Sequence, residues 1–370
     1  MFDFSLLGKS RFVRPGPLWL LAALTLHASF SSAHAVDTQP ALADSGATKD
    51  GSTMNDIPPR LQWTANYGYC GETAFISAGL YYGQYVSQFD TRAIASPNIN
   101  QSKRGSQLLL GVNDGVTAAQ MRLKSVEWDS VTTPNANEFL AWIKGNVLSG
   151  YPVIMGVYEN LSKFEVSGDE RAGDDEYDHI VPVIGVSSTG PANQSATYQA
   201  DDIITFSDNG LWSPDGPPAY LYRFKFGAFQ ASRQEANNEN RPVYSLPRGG
   251  KNYAVAITGI IDRDGQTLPV RLTTDVNEER PVMGAGSNTR PASARVNLTA
   301  TVSGLTPGVT YTLYRYDSFD KVPDAGFNKR ASMADKQWKI NIQTGSTYVL
   351  NETIRSDQVA VYRAVPVTAP

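Results

Sequence analysis

The 370-residue chain holds one cysteine, Cys70, and three histidines, His27, His34 and His179. Cys70 stands in Asn66-Tyr67-Gly68-Tyr69-Cys70-Gly71-Glu72, after which Ala74, Ala78, Tyr81, Tyr82 and Tyr85 recur at helical spacing. That spacing predicts a helix over about 71–85 with one buried face, and it puts the cysteine at the helix start. Backbone N–H groups there are unpaired and carry partial positive charge, so they favour a reactive thiolate. A cysteine that only filled space would sit more naturally mid-helix. Here Gly68 and Gly71 flank it and leave room for a substrate carbonyl. With a single cysteine, neither an intramolecular disulfide nor a multi-cysteine metal cage can form.

A cysteine nucleophile needs a base. His27 and His34 fall in or beside a segment that reads as removable. Lys9, Arg11 and Arg14 precede the apolar run Leu18 to Leu26, and Ala33-His34-Ala35 closes it. This is the order of a cleaved secretory signal, with the cut after Ala35, and the run is too short to span a bilayer. The expectation is an exported protein, secreted or periplasmic, whose one remaining imidazole is His179. That residue opens the apolar strand of Tyr177-Asp178-His179-Ile180-Val181-Pro182-Val183-Ile184-Gly185-Val186. A third group must orient the ring, and Asp208 or Asn209, at the end of the next predicted strand, is placed to do so. Asp208 is preferred, because Asn209 faces away if the strand continues regularly. Asp178 suits less well, since adjacent strand residues point to opposite faces.

The elements that must position these residues are legible as patterns. Helices are predicted over about 117–124 and from about Asn137 to Gly150, and strands over 153–158, 180–186 and 203–206. Pro182 implies an edge position or a bulge. Beyond Gly250 come short strand candidates at 254–261, 268–272, 296–302, 310–316, 338–342 and 358–365, a pattern that predicts a β-sandwich. Within it, Gly304-Leu305-Thr306-Pro307-Gly308-Val309-Thr310-Tyr311 resembles the turn and strand of fibronectin type III-like modules. The expected organisation is a signal at 1–35, a flexible lead-in at 36–58, a catalytic α+β domain at 59–250 and the β-sandwich domain at 251–370, with the alternative that the strand 254–261 pairs with the first domain.

Cys-Gly heading a small-residue helix, then His at a strand start, then a polar residue ending a later strand, resembles the papain-like cysteine peptidase superfamily. Gly115-Val116-Thr117 with Met121, and Phe139-Leu140 with Gly150-Tyr151-Pro152-Val153-Ile154, are similar to its bacteriocin-leader-peptidase-like (peptidase C39-like) branch. The resemblance spans about residues 60–215. It implies a papain-like fold, Cys70 as nucleophile, His179 as general base and then acid, and Asp208 as the orienting group. The superfamily also places an oxyanion-binding Gln shortly before the cysteine. Thr64 occupies that position, and Gln62 and Asn66 lie on either side. Gln62 is the candidate if the intervening loop is slightly longer here.

A net charge of −4 without any basic run argues against nucleic-acid binding. The chain has no phosphate-binding glycine loop, dinucleotide fingerprint or His-based zinc motif, so no cofactor or metal is implied. The acidic stretch 165–178 lacks EF-hand spacing and reads as a solvated loop. The expected partner is a peptide or protein substrate, with a surface or protein partner for the C-terminal domain. Two other readings use the same residues: a silent papain-like binding module and a transglutaminase-like acyl transferase.

Overall fold

The computed structural model describes residues 52–63, 65–129, 135–160, 177–188, 197–210, 221–230, 243–247, 251–275 and 287–367. The signal expected at 1–35 lies outside the described residues, as do Thr64, residues 36–51 of the lead-in and most of the acidic stretch.

The fold mixes helices with antiparallel sheets. In chain order the elements are β1 (Ser52–Met54), α1 (Cys70–Tyr81), β2 (Gln84–Tyr85), α2 (Gln88–Ala95), α3 (Asp114–Gln120), β3 (Leu123–Glu127), α4 (Ala136–Leu148) and β4 (Val153–Asn160). Next are β5 (His179–Ser187), β6 (Ile203–Ser207), β7 (Leu221–Lys225), α5 (Phe226–Phe229), β8 (Val243–Ser245) and β9 (Ala254–Ile260). The rest is strand: β10 (Val270–Thr274), β11 (Arg295–Val302), β12 (Thr310–Tyr316), β13 (Lys336–Asn341), β14 (Tyr348–Arg355) and β15 (Ala360–Pro366).

The large sheet runs β3-β9-β4-β5-β6-β7, with β1 added beside β5 and β8 beside β4. Strand β5, which begins at His179, is therefore interior. Pro182 sits opposite Ile154 of β4, and the register with β6 shifts between Val183 and Gly185. The expected bulge is there, but the alternative of an edge position is not. Two smaller sheets, β10-β11-β14 and β13-β12-β15-β2, make up the C-terminal part.

Three expectations need correction. The lead-in does not stay free up to residue 58: Ser52–Met54 pairs with β5, Asn55 donates to the Val147 and Tyr151 carbonyls, and Ile57 is buried against Tyr81 and Ile184. The boundary at 250/251 is too early, because β9 pairs with β3 and β4 of the large sheet. Nor is α1 buried on one face only. Every residue from Gly71 to Tyr81 is buried, because α1 packs against β5 on one side and β10 on the other.

That last point joins the two parts. One apolar cluster runs from Ala74, Phe75 and Ala78 of α1 through Val270 and Leu272 to Leu313, Tyr362 and Val365. Strand β2 completes the sheet of β15, and the buried Arg363 donates to the Tyr82 carbonyl and to Gln84 Oε1. The C-terminal strands are built onto the helix that starts at Cys70.

Candidate active site

Cys70 is the first residue of α1 and is partly exposed, and Tyr69, at the cap position, makes no side-chain cap bond. The loop before it is unusual. Asn66 (φ 54°), Tyr67 (φ 68°) and Gly68 (φ 81°) are all left-handed, a costly conformation for the first two. Their carbonyls are all held. Arg92 Nη1 donates to Asn66 O at 2.9 Å, Gln107 Nε2 to Tyr67 O at 2.8 Å, and Arg92 Nη2 to Gly68 O. Arg92 is fully buried, lies 3.5 Å from the Tyr69 ring centroid, and pairs through Nε with Glu72 at 2.6 Å. Glu72, in the first turn of α1, also accepts from Leu108 N–H. A Cβ at Gly71 would run into the Leu108 carbonyl, so the close approach of this second loop requires glycine.

The strand side delivers His179 and Asp208. His179 Nε2 lies 3.2 Å from Asp208 Oδ1, with His179 5% exposed and Asp208 0%. Oδ1 also accepts from Gly210 N–H at 2.5 Å, and Oδ2 accepts from the Tyr244 hydroxyl. A buried carboxylate is tolerable only with such partners. Burial works against a charged His179 ring. Hydrogen bonds to Asp208 and Cys70, and the negative charge of both, outweigh it and hold the ring well above its usual 6.5. With Nε2 on Asp208, Nδ1 is the atom left to exchange a proton with the thiol.

Gln62 joins this group, and Asn66 does not. Gln62 Oε1 accepts from Tyr69 N–H at 2.8 Å, which leaves its amide nitrogen for the site. A Cβ at Gly210 would stand 2.7 Å from that nitrogen and 3.3 Å from the His179 ring. The bare α-carbon is thus what lets amide and imidazole share the space. Gln62 N–H bonds Asn209 O at 2.7 Å, which ties the residue to the end of β6. Asn66 is turned elsewhere, donating to Tyr69 Oη and to Ser287 O.

Strand β6 ends at Ser207, so strand alternation does not set the direction of Asn209. Its Nδ2 donates to Cys70 O and to Ile180 O, each at 3.0 Å. It pins the Cys70 peptide to the strand that carries His179. Sequence reasoning missed this tie, along with Arg92, Glu72 and Tyr244. Glu72 adjoins Cys70-Gly71 and could have been noticed as a buried first-turn acid. Arg92 and Tyr244 carry no local signal.

The arrangement suits nucleophilic chemistry on a carbonyl. A thiol at a helix start faces an imidazole, a buried carboxylate holds that ring, and an amide N–H is available close by. Among the described residues, no three His, Cys, Asp or Glu side chains converge as a metal would require, and no helix is long and apolar enough to cross a membrane. Comparison with protein-family profiles, curated proteins and solved structures finds no match.

Proposed function

We propose that the protein is an exported papain-like cysteine peptidase or amide hydrolase that cleaves through a thioester acyl-enzyme. The observation that carries this reading is the convergence of Cys70, His179, Asp208 and Gln62 from a helix start, two strand ends and a preceding loop.

The Cys70 thiolate attacks the substrate carbonyl carbon while the protonated His179 stands by. The Cys70 N–H and Gln62 Nε2 receive the developing oxyanion. As the tetrahedral species collapses, the C–N bond breaks, the imidazolium gives its proton to the departing amine, and a thioester remains on Cys70. A water then attacks the thioester, His179 takes its proton, and the acid leaves as the thiolate is restored. Asp208 holds the ring and balances its charge throughout. The C-terminal strands, in this reading a fibronectin type III-like sandwich completed by β2, support α1 from behind.

Digestion of a peptide library tests the proposal. Cleavage is expected from the wild type and lost on alkylation or in Cys70→Ala. Adding a primary amine distinguishes acyl transfer, which would divert product to the amide. A library left intact by unmodified protein would overturn the hydrolase assignment.

A further inference from the structure

We infer that Tyr244 is a positioning residue, whose hydroxyl fixes the Asp208 carboxyl so that Oδ1 faces His179. The inference rests on the proposed thiol chemistry but not on the identity of the substrate. Asp208 presents two different edges. Oδ1 meets His179 Nε2 and Gly210 N–H, and Oδ2 takes the Tyr244 hydroxyl. A carboxyl held on one oxygen can still rotate about its Cβ–Cγ bond, and a donor on the second oxygen stops that rotation.

The tyrosine is itself pinned. It is 1% exposed, and its ring makes edge contacts with Phe206, at 5.0 Å between centroids, and Tyr222, at 4.9 Å. Strand β8 brings it there by pairing with the far end of β4, with Glu159 opposite Tyr244. A buried phenol needs an acceptor, and an ionised carboxylate is the strongest one a protein offers. The structure therefore assigns a chain of four groups, in which Tyr244 holds Asp208, Asp208 holds His179, and His179 serves Cys70.

The test is the pH dependence of Cys70 alkylation by iodoacetate, whose carboxylate is drawn to the imidazolium. The wild type should react along a profile whose alkaline limb lies well above pH 6.5. Tyr244→Phe should lower the plateau about tenfold or more, as expected for losing a hydrogen bond to a charged group. It should also move the limb down towards 6.5. An unchanged limb with only a lower melting temperature would reduce Tyr244 to a packing residue and overturn the inference. If Tyr244→Phe does not fold, the double variant with Asp208→Asn removes the buried charge. Recovery of folding then supports the pairing, and no recovery overturns it. A protein that cleaves nothing yet shows the Tyr244-dependent limb would refute the hydrolase assignment and leave this inference standing.

Discussion

The two sides of the candidate site are held by different physics. The cysteine side is a short left-handed loop in which the Asn66 and Gly68 carbonyls converge on one buried guanidinium and the Tyr67 carbonyl on Gln107, and a second loop presses against Gly71. Further support comes from the C-terminal part, where Ser287 O accepts from Asn66 and Arg290 forms a bidentate pair with Asp90. The histidine side is a ladder. His179 opens β5, Asp208 follows directly on the neighbouring β6, both strands are interior, and a side-chain bond joins the two residues. Ladder geometry distributes its support over many backbone bonds, whereas the cysteine loop concentrates it in the Glu72–Arg92 pair. The cysteine side should therefore be the fragile half.

The largest expected effect comes from cutting the molecule just after β9, beyond the boundary that sequence patterns placed at 250/251. A chain ending at residue 261 loses β10 to β15 and exposes the inner side of α1, so it should be insoluble or lack a cooperative melt. A soluble fragment with a sharp transition would show that α1 is held well enough by the large sheet alone. Next is Arg92→Met, which strands the Glu72 carboxylate and should cost about 3–5 kcal/mol in denaturant titration. Replacing both partners with apolar residues should cost less stability and still leave Cys70 slow to alkylate, because the loop carbonyls have lost their donor.

Smaller effects are expected on the strand side. Asn209→Ala deprives two carbonyls of a donor and should destabilise by about 2 kcal/mol. Strand alternation alone would have made this change mild. Asp208→Asn should show the opposite balance, with modest loss of stability and a larger loss in alkylation or turnover. Chemical denaturation against pH is the mildest probe. Because His179 is raised above 6.5 in the folded chain, its stabilising contribution is complete below pH 6.5 and is lost as pH rises through the folded value. In Asp208→Ala the loss should be smaller and should be complete at a lower pH.

Much of the site was legible because its chemistry is scarce. One cysteine, one histidine outside the signal-like segment, and one strand-ending carboxylate left few combinations. Periodicity located α4, β4, β5 and β6 closely and the start of α1, but carried that helix to 85 where it ends at Tyr81 and Tyr85 enters β2. Gln62 needed an assumption about loop length that only the fold of residues 65–68 could supply. The domain boundary failed for a physical reason. Strand β9 is an apolar run like those that follow it, and strand patterns carry no information about which sheet a strand joins. Arg92 and Tyr244 were invisible because what matters about them is distance in space, 20 residues from Glu72 and 36 from Asp208 along the chain.

The bridge made by Asn209 has a mechanical consequence. Its one amide nitrogen spans the carbonyls of Cys70 and Ile180, so helix and sheet are bolted together within a residue of both reacting groups. A cleft that opened by swinging α1 away from β5 would have to break that bolt each time. Admission and release must then depend on the rim, while the distance from sulfur to imidazole stays constant. The gap between Cys70 and His179 behaves as a fixed gauge, not a jaw.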